Sequence, residues 1–115
     1  MEVKMTPSEI AQRQLDAYNA RDIDRFCLYF SDQIRVFNGR TNELLFEGGD
    51  VFKARYVERF KTPNLHCTLI SRIAMGNIVI DHESVLGIKE GEAVEVIAFY
   101  TIDHEEIVEV KFFSP

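Results

Sequence analysis

The chain has 115 residues, 46% of them hydrophobic and 28% charged, with a formal net charge of -6 at pH 7. That length allows one hydrophobic core, predicts a single domain over 1–115, and is too short for two. The acidic balance, with no basic stripe interleaved with aromatics, argues against a nucleic-acid partner, and no apolar run approaches a membrane span.

Met1 to Thr6 holds no apolar core of signal-peptide length, which predicts a cytoplasmic protein. Thr6-Pro7-Ser8-Glu9 is a strong helix start: threonine as N-cap, proline at the first helical position, glutamate three after the cap to close a capping box. The first helix is predicted to run to about Asn19. Asp22 then caps a second helix, in which Ile23, Phe26, Cys27 and Phe30 follow the spacing of a core-facing stripe up to Ser31-Asp32. Gln33 to Phe37 alternates like a short strand, Asn38-Gly39 and Thr41-Asn42 mark a turn, and Leu44 to Glu47 reads as a second strand. Asp50 is predicted to cap a third helix carrying Phe52, Tyr56 and Phe60 at fourfold spacing, stopped by Thr62-Pro63-Asn64. Four strands follow: Leu65–Met75, Ile78–Ile88, Ala93–Asp103 and Ile107–Phe113. Cys27 and Cys67 lack CxxC spacing and are expected as buried, reduced thiols.

The long strands carry an anomaly. Asp81 and Glu83 sit inside the apolar segment Val79 to Val85, and ionised side chains there cost several kcal/mol unless paired. A turn at Gly76-Asn77 sets Met75 against Ile78, Arg72 against Asp81, Ser71 against His82 and Ile70 against Glu83. A turn at Glu90-Gly91 sets Val85 against Val96, Glu83 against Ala98 and Asp81 against Tyr100. Alternation then gathers His66, Thr68, Ile70, Arg72, Asp81, Glu83, Val85, Val96, Ala98 and Tyr100 on one mixed face. Leu69, Ser71, Ile73, Ile80, His82, Ile97 and Phe99 fall on an apolar face. Helices first and an antiparallel meander last predict an α+β domain, a cone-like curved antiparallel sheet wrapped round three N-terminal helices. Such a cone leaves a tapered pocket, which the aromatic set Tyr18, Phe30, Phe52, Tyr56 and Phe112 would line for a small hydrophobic molecule.

The sequence resembles the nuclear transport factor 2-like superfamily, which includes ketosteroid isomerases, scytalone dehydratase and polyketide cyclases. The resemblance rests on Leu15 to Asp24, on Tyr29 to Val36, on the Gly48 to Phe60 helix and on the closing Tyr100 to Phe113 hairpin. By that similarity the isomerase base falls on Asn38, its oxyanion tyrosine on Gln14 and its oxyanion acid on Ala98. None of these can do the isomerase job, so the resemblance implies a ligand-binding relative that is not a ketosteroid isomerase. It also implies that the face carrying Ala98 is concave. The apolar face would then lie outside, where it would form a homodimer sheet to sheet.

On a concave mixed face, Asp81 and Glu83 lie about 7 Å apart, two along one strand. One carboxylate can stay ionised against Arg72 while the other, desolvated, serves as a general acid or base. Tyr100 is the candidate donor to a developing oxyanion and His66 a proton shuttle. The bland alternative is a structural Arg72–Asp81 pair with Glu83 bonded to a helix or to Gln14 or Tyr18. The register puts His66 and His82 on opposite faces, which argues against a shared metal site, and no phosphate loop or cofactor motif is visible. A cofactor-free isomerase or dehydratase and a non-catalytic carrier or dimerisation module are the two functional expectations.

Overall fold

The computed structural model describes residues 4–115, so the Met1–Val3 part of the N-terminal segment lies outside the described residues. Thr6 caps α1 (Pro7–Ala20) through a closed capping box: its hydroxyl accepts from the Glu9 N–H at 3.2 Å while the Glu9 carboxylate accepts from the Thr6 N–H at 3.1 Å. Asp22 caps α2, which spans only Ile23–Cys27. Phe30 therefore leaves the predicted helical stripe and opens β1 (Phe30–Asn38), because the Tyr29 carbonyl is taken by the Ile107 N–H at 2.8 Å and draws the chain into the sheet. β2 is Leu44–Glu47. α3 (Gly49–Arg59) starts two residues earlier than Asp50 as cap would require: Gly48, at φ 95, is the N-cap, a conformation open to glycine. Asp50 instead sits in the first turn, where a carboxylate meets the positive helix end.

The four long strands are β3 (His66–Met75), β4 (Ile78–Lys89), β5 (Glu92–Asp103) and β6 (Glu106–Phe113). They join β1 and β2 in one six-stranded sheet of order β2-β1-β6-β5-β4-β3. All neighbours are antiparallel except β1 and β6, which run parallel. Three helices lie against the concave side, giving the α+β cone.

Two bulges correct the expected register. Met75↔Ile78, Arg72↔Asp81 and Ser71↔His82 pair as the Gly76-Asn77 turn predicts, but Glu83 faces Leu69, leaving Ile70 as the extra residue. Beyond it the faces exchange, so Cys67 and Leu69 turn inward while His66 and Thr68 point out. The second turn holds its predicted Lys89↔Glu92 pairing, and a bulge around Gly87 then slides β4 by two residues. Asp81 thus pairs with Ala98 and Glu83 with Val96. A slip of two keeps every side chain on its face. Asp81, Glu83, Val85, Ala98 and Tyr100 are accordingly all buried on the concave side. Ile73, at 67% exposure, and Ile97, at 38%, lie on the convex one.

Candidate active site

The cone encloses a cavity of about 750 Å³ between the helices and the concave sheet. Its wall is aromatic because α1, α2, α3 and β1 each turn rings toward the same space. The Phe30 and Phe52 ring centroids lie 4.4 Å apart, Phe52 and Tyr56 4.6 Å, and Phe26 and Tyr56 4.9 Å. Burial raises the Tyr56 and Tyr18 hydroxyls, so both are neutral donors at any ordinary pH, and the Arg59 guanidinium pulls Tyr18 in the opposite direction.

Of the residues singled out from sequence, Gln14, Tyr18, Phe30, Phe52, Tyr56, Glu83, Tyr100 and Phe112 line this cavity. Arg72, Asp81, Ala98, Asn38 and His66 do not. Asn38 shapes the β1–β2 turn, its carboxamide oxygen accepting from the Arg40 and Thr41 N–H groups at 2.9 and 3.3 Å. His66 is turned outward by the Ile70 bulge, onto the same convex side as His82, so the expected opposition of the two histidines is corrected; they stand across from Leu86 and Ser71 respectively. Among the described residues no cluster of three His, Cys, Asp or Glu side chains is arranged to hold a metal ion.

The two carboxylates of β4 have separate surroundings. Asp81, fully buried, accepts two bonds from Arg72, Nε to Oδ1 at 2.7 Å and Nη2 to Oδ2 at 2.9 Å. Arg72 also donates to the Gln12 side-chain oxygen at 3.0 Å, so this ion pair ties β3 and β4 to α1. Glu83, 5% exposed, has no such partner and faces the cavity. Burial first, and the charge of Asp81 second, push its carboxyl up to about 7, while the neighbouring Cys67 thiol and Arg72 act the other way.

Tyr100 stands on the next strand. The Gln14 amide donates to its hydroxyl oxygen at 3.1 Å and to the Ala11 carbonyl at 3.0 Å. With that lone pair engaged, the phenolic proton is free to be donated elsewhere. Burial, then the charge of Glu83, hold the phenol well above its ordinary value.

Sequence reasoning expected Cys67 as a buried thiol but missed its place in the cavity wall. Its backbone is clasped by the Asn19 carboxamide, which donates to the Cys67 carbonyl at 2.9 Å and accepts from its N–H at 2.8 Å. The thiol joins the cavity wall and is pushed far up, chiefly by burial. Nothing short of recognising the Ile70 bulge would have placed it on the concave face. Arg55 and Arg59, also in the wall, were legible as a fourfold-spaced pair beside the Phe52, Tyr56 stripe.

The SnoaL-like domain profile matches residues 11–110. The chain belongs to the SnoaL-like domain family. That family lies within the nuclear transport factor 2-like superfamily. No curated protein matches the sequence. Among solved structures, an uncharacterised cystatin-fold protein from Novosphingobium aromaticivorans is 25% identical, with a TM-score of 0.84 over 94% of this chain and 97% of that one. A provisionally named ketosteroid isomerase from Kribbella flavida is 16% identical, TM-score 0.81, covering 95% of this chain and 77% of its own. A provisionally named polyketide cyclase from Pseudomonas putida is 20% identical, TM-score 0.72, covering 96% and 92%. The SnoaL-like frame thus hosts differently named activities, and function must be argued from the site.

Proposed function

We propose that this SnoaL-like protein binds a small, largely apolar molecule in the cavity and carries out cofactor-free proton transfer on it, an isomerisation or a dehydration. Glu83 is the acid/base, and Tyr100, oriented by Gln14, donates to the negative charge that develops on the substrate. Tyr18, Phe30, Phe52, Tyr56 and Phe112 hold the apolar body. One observation carries the reading: a carboxyl with no cationic partner faces an aromatic cavity, where burial pushes it up to about 7, the range suited to a general acid or base. Arg72 and Asp81 are bonded to each other outside the cavity, which supports a positioning role for them. The reaction is not ketosteroid isomerisation, because Gln14, Asn38 and Ala98 replace its base and donors.

The test is hydrogen–deuterium exchange next to the carbonyl of a panel of small hydrophobic ketones, followed by NMR. Exchange that rises with pH around 7 and disappears in Glu83→Gln is expected. Exchange no faster than in Glu83→Gln across the panel would reject catalysis and leave a ligand carrier.

The same proposal includes a homodimer through the convex sheet face, supported by the exposed Ile73, Met75 and Ile97 there. No helix among the described residues is long and apolar enough to cross a membrane. The free thiols of Cys27 and Cys67 fit the reducing cytoplasm, where we place the protein.

A further inference from the structure

Two guanidinium groups at the cavity have no part in the proton-transfer reading. Arg55 and Arg59 lie four residues apart on α3, hence on one side of it, and both contribute to the cavity wall. Among the described residues neither has a carboxylate within salt-bridge distance; Glu58 between them also lines the cavity, but its charge is met by Lys61 at 3.0 Å. The fold accounts for each of them in part. Arg55 lies over the Phe46 ring at 4.3 Å, and Arg59 sits beside the Tyr18 hydroxyl in the last helical turn, where a cation meets the negative helix end. It does not account for the pair, since like charges four apart repel by a few tenths of a kcal/mol in a helix.

The rest of the cavity gives the pair a direction. Leu45, Val51 and Ile88, all exposed and all in the wall, make the rim apolar, and the rings of Phe30, Phe52 and Tyr56 continue that surface inward. Deep inside stand Glu83 and, behind it, Asp81, which disfavour an anion there. Resting on the reading that the cavity holds an apolar ligand, we propose that the ligand is an amphiphilic anion, a carboxylate or equivalent acid on an apolar body. It enters apolar end first and leaves its acid group between Arg55 and Arg59.

Titration calorimetry with octanoate, octanol and octylamine tests this on the full chain and on the Arg55→Gln/Arg59→Gln double variant. Octanoate is expected to bind the unmodified protein about tenfold more tightly than octanol, as a charge-assisted contact at a partly exposed site would give. Octylamine should bind more weakly than octanol, and higher ionic strength should narrow the advantage of octanoate. In the double variant that advantage should vanish while octanol binds as before, which also shows the cavity intact. Equal binding of octanoate and octanol by the unmodified protein, or an octanoate advantage that survives the double variant, overturns the anion assignment alone. Failure of all three to bind overturns the apolar-ligand reading beneath it.

Discussion

Glu83 and Asp81 are the same chemical group two residues apart, and their neighbours alone divide their roles. Asp81 meets a guanidinium in bidentate geometry, whereas Glu83 meets rings, a thiol and the field of Asp81. The stability consequence has a definite sign. Raised from 4.5 to about 7, the Glu83 carboxyl binds its proton more tightly in the folded chain, so folding is favoured below pH 4.5 and loses stability as pH climbs through 7. The full loss is on the order of 3 kcal/mol. Glu83→Gln keeps the shape without the charge and should therefore be as stable as the unmodified protein near pH 4.5, and more stable at pH 8.5. Urea denaturation at the two pH values measures this; a loss of more than about 2 kcal/mol at pH 8.5 would make Glu83 a structural hydrogen-bonding hub instead. By the family resemblance, an amide at Asn38 stands in place of the isomerase base, an amide at Gln14 in place of its tyrosine and Ala98 in place of its acid, which makes a second prediction at this scale. A Δ5-ketosteroid should not be converted above a no-enzyme control, since each missing group is ordinarily worth on the order of a hundredfold in rate.

At the scale of elements, the bulges decide which side chains reach the cavity. The capping box, the Gly76-Asn77 turn and the helix-then-meander order were legible because each depends on a few adjacent residues with strong local preferences. The Ile70 bulge was not: it falls within Thr68-Leu69-Ile70-Ser71, a run with no glycine or proline to announce an extra residue, and it exchanged His66 for Cys67 on the concave face. Phe30 was misread for a related reason, since its helical spacing from Phe26 and Cys27 is overridden by pairing with distant Ile107. Gly87 did carry a signal, a lone glycine inside a strand pattern. Its φ is 98, and a Cβ built there would come 2.8 Å from the Leu65 Cα, a backbone atom that cannot step aside. Gly87→Ala should cost at least ~2 kcal/mol and lower the melting temperature by about 10 °C. An unchanged melting curve by circular dichroism would show that the bulge tolerates a side chain.

For the whole molecule, the sheet has two exposures of opposite character, a concave side filled by helices and cavity and a convex side bearing Ile73, Ile97 and the partly buried Ile80 and Phe99. Phe99→Glu would place a charge in the proposed sheet-to-sheet contact and should convert dimer to monomer or aggregate. Light scattering that finds the unmodified protein a stable monomer at micromolar concentration would remove the dimer. The parallel pairing of β1 with β6 has a consequence in time. The helices and the β1–β2 hairpin come early in the chain and the β3–β5 meander comes later, yet in the sheet the two halves are joined through β6 alone. Each half can acquire local order, but the sheet is continuous only after Phe30 has found Ile107 across two-thirds of the sequence. Such a contact is entropically slow to close, which predicts that β6 sets the pace of folding. Val110→Ala, fully inside the core on that strand, should slow refolding in nearly full proportion to the stability it removes, whereas Val79→Ala in the meander should act mainly by speeding unfolding.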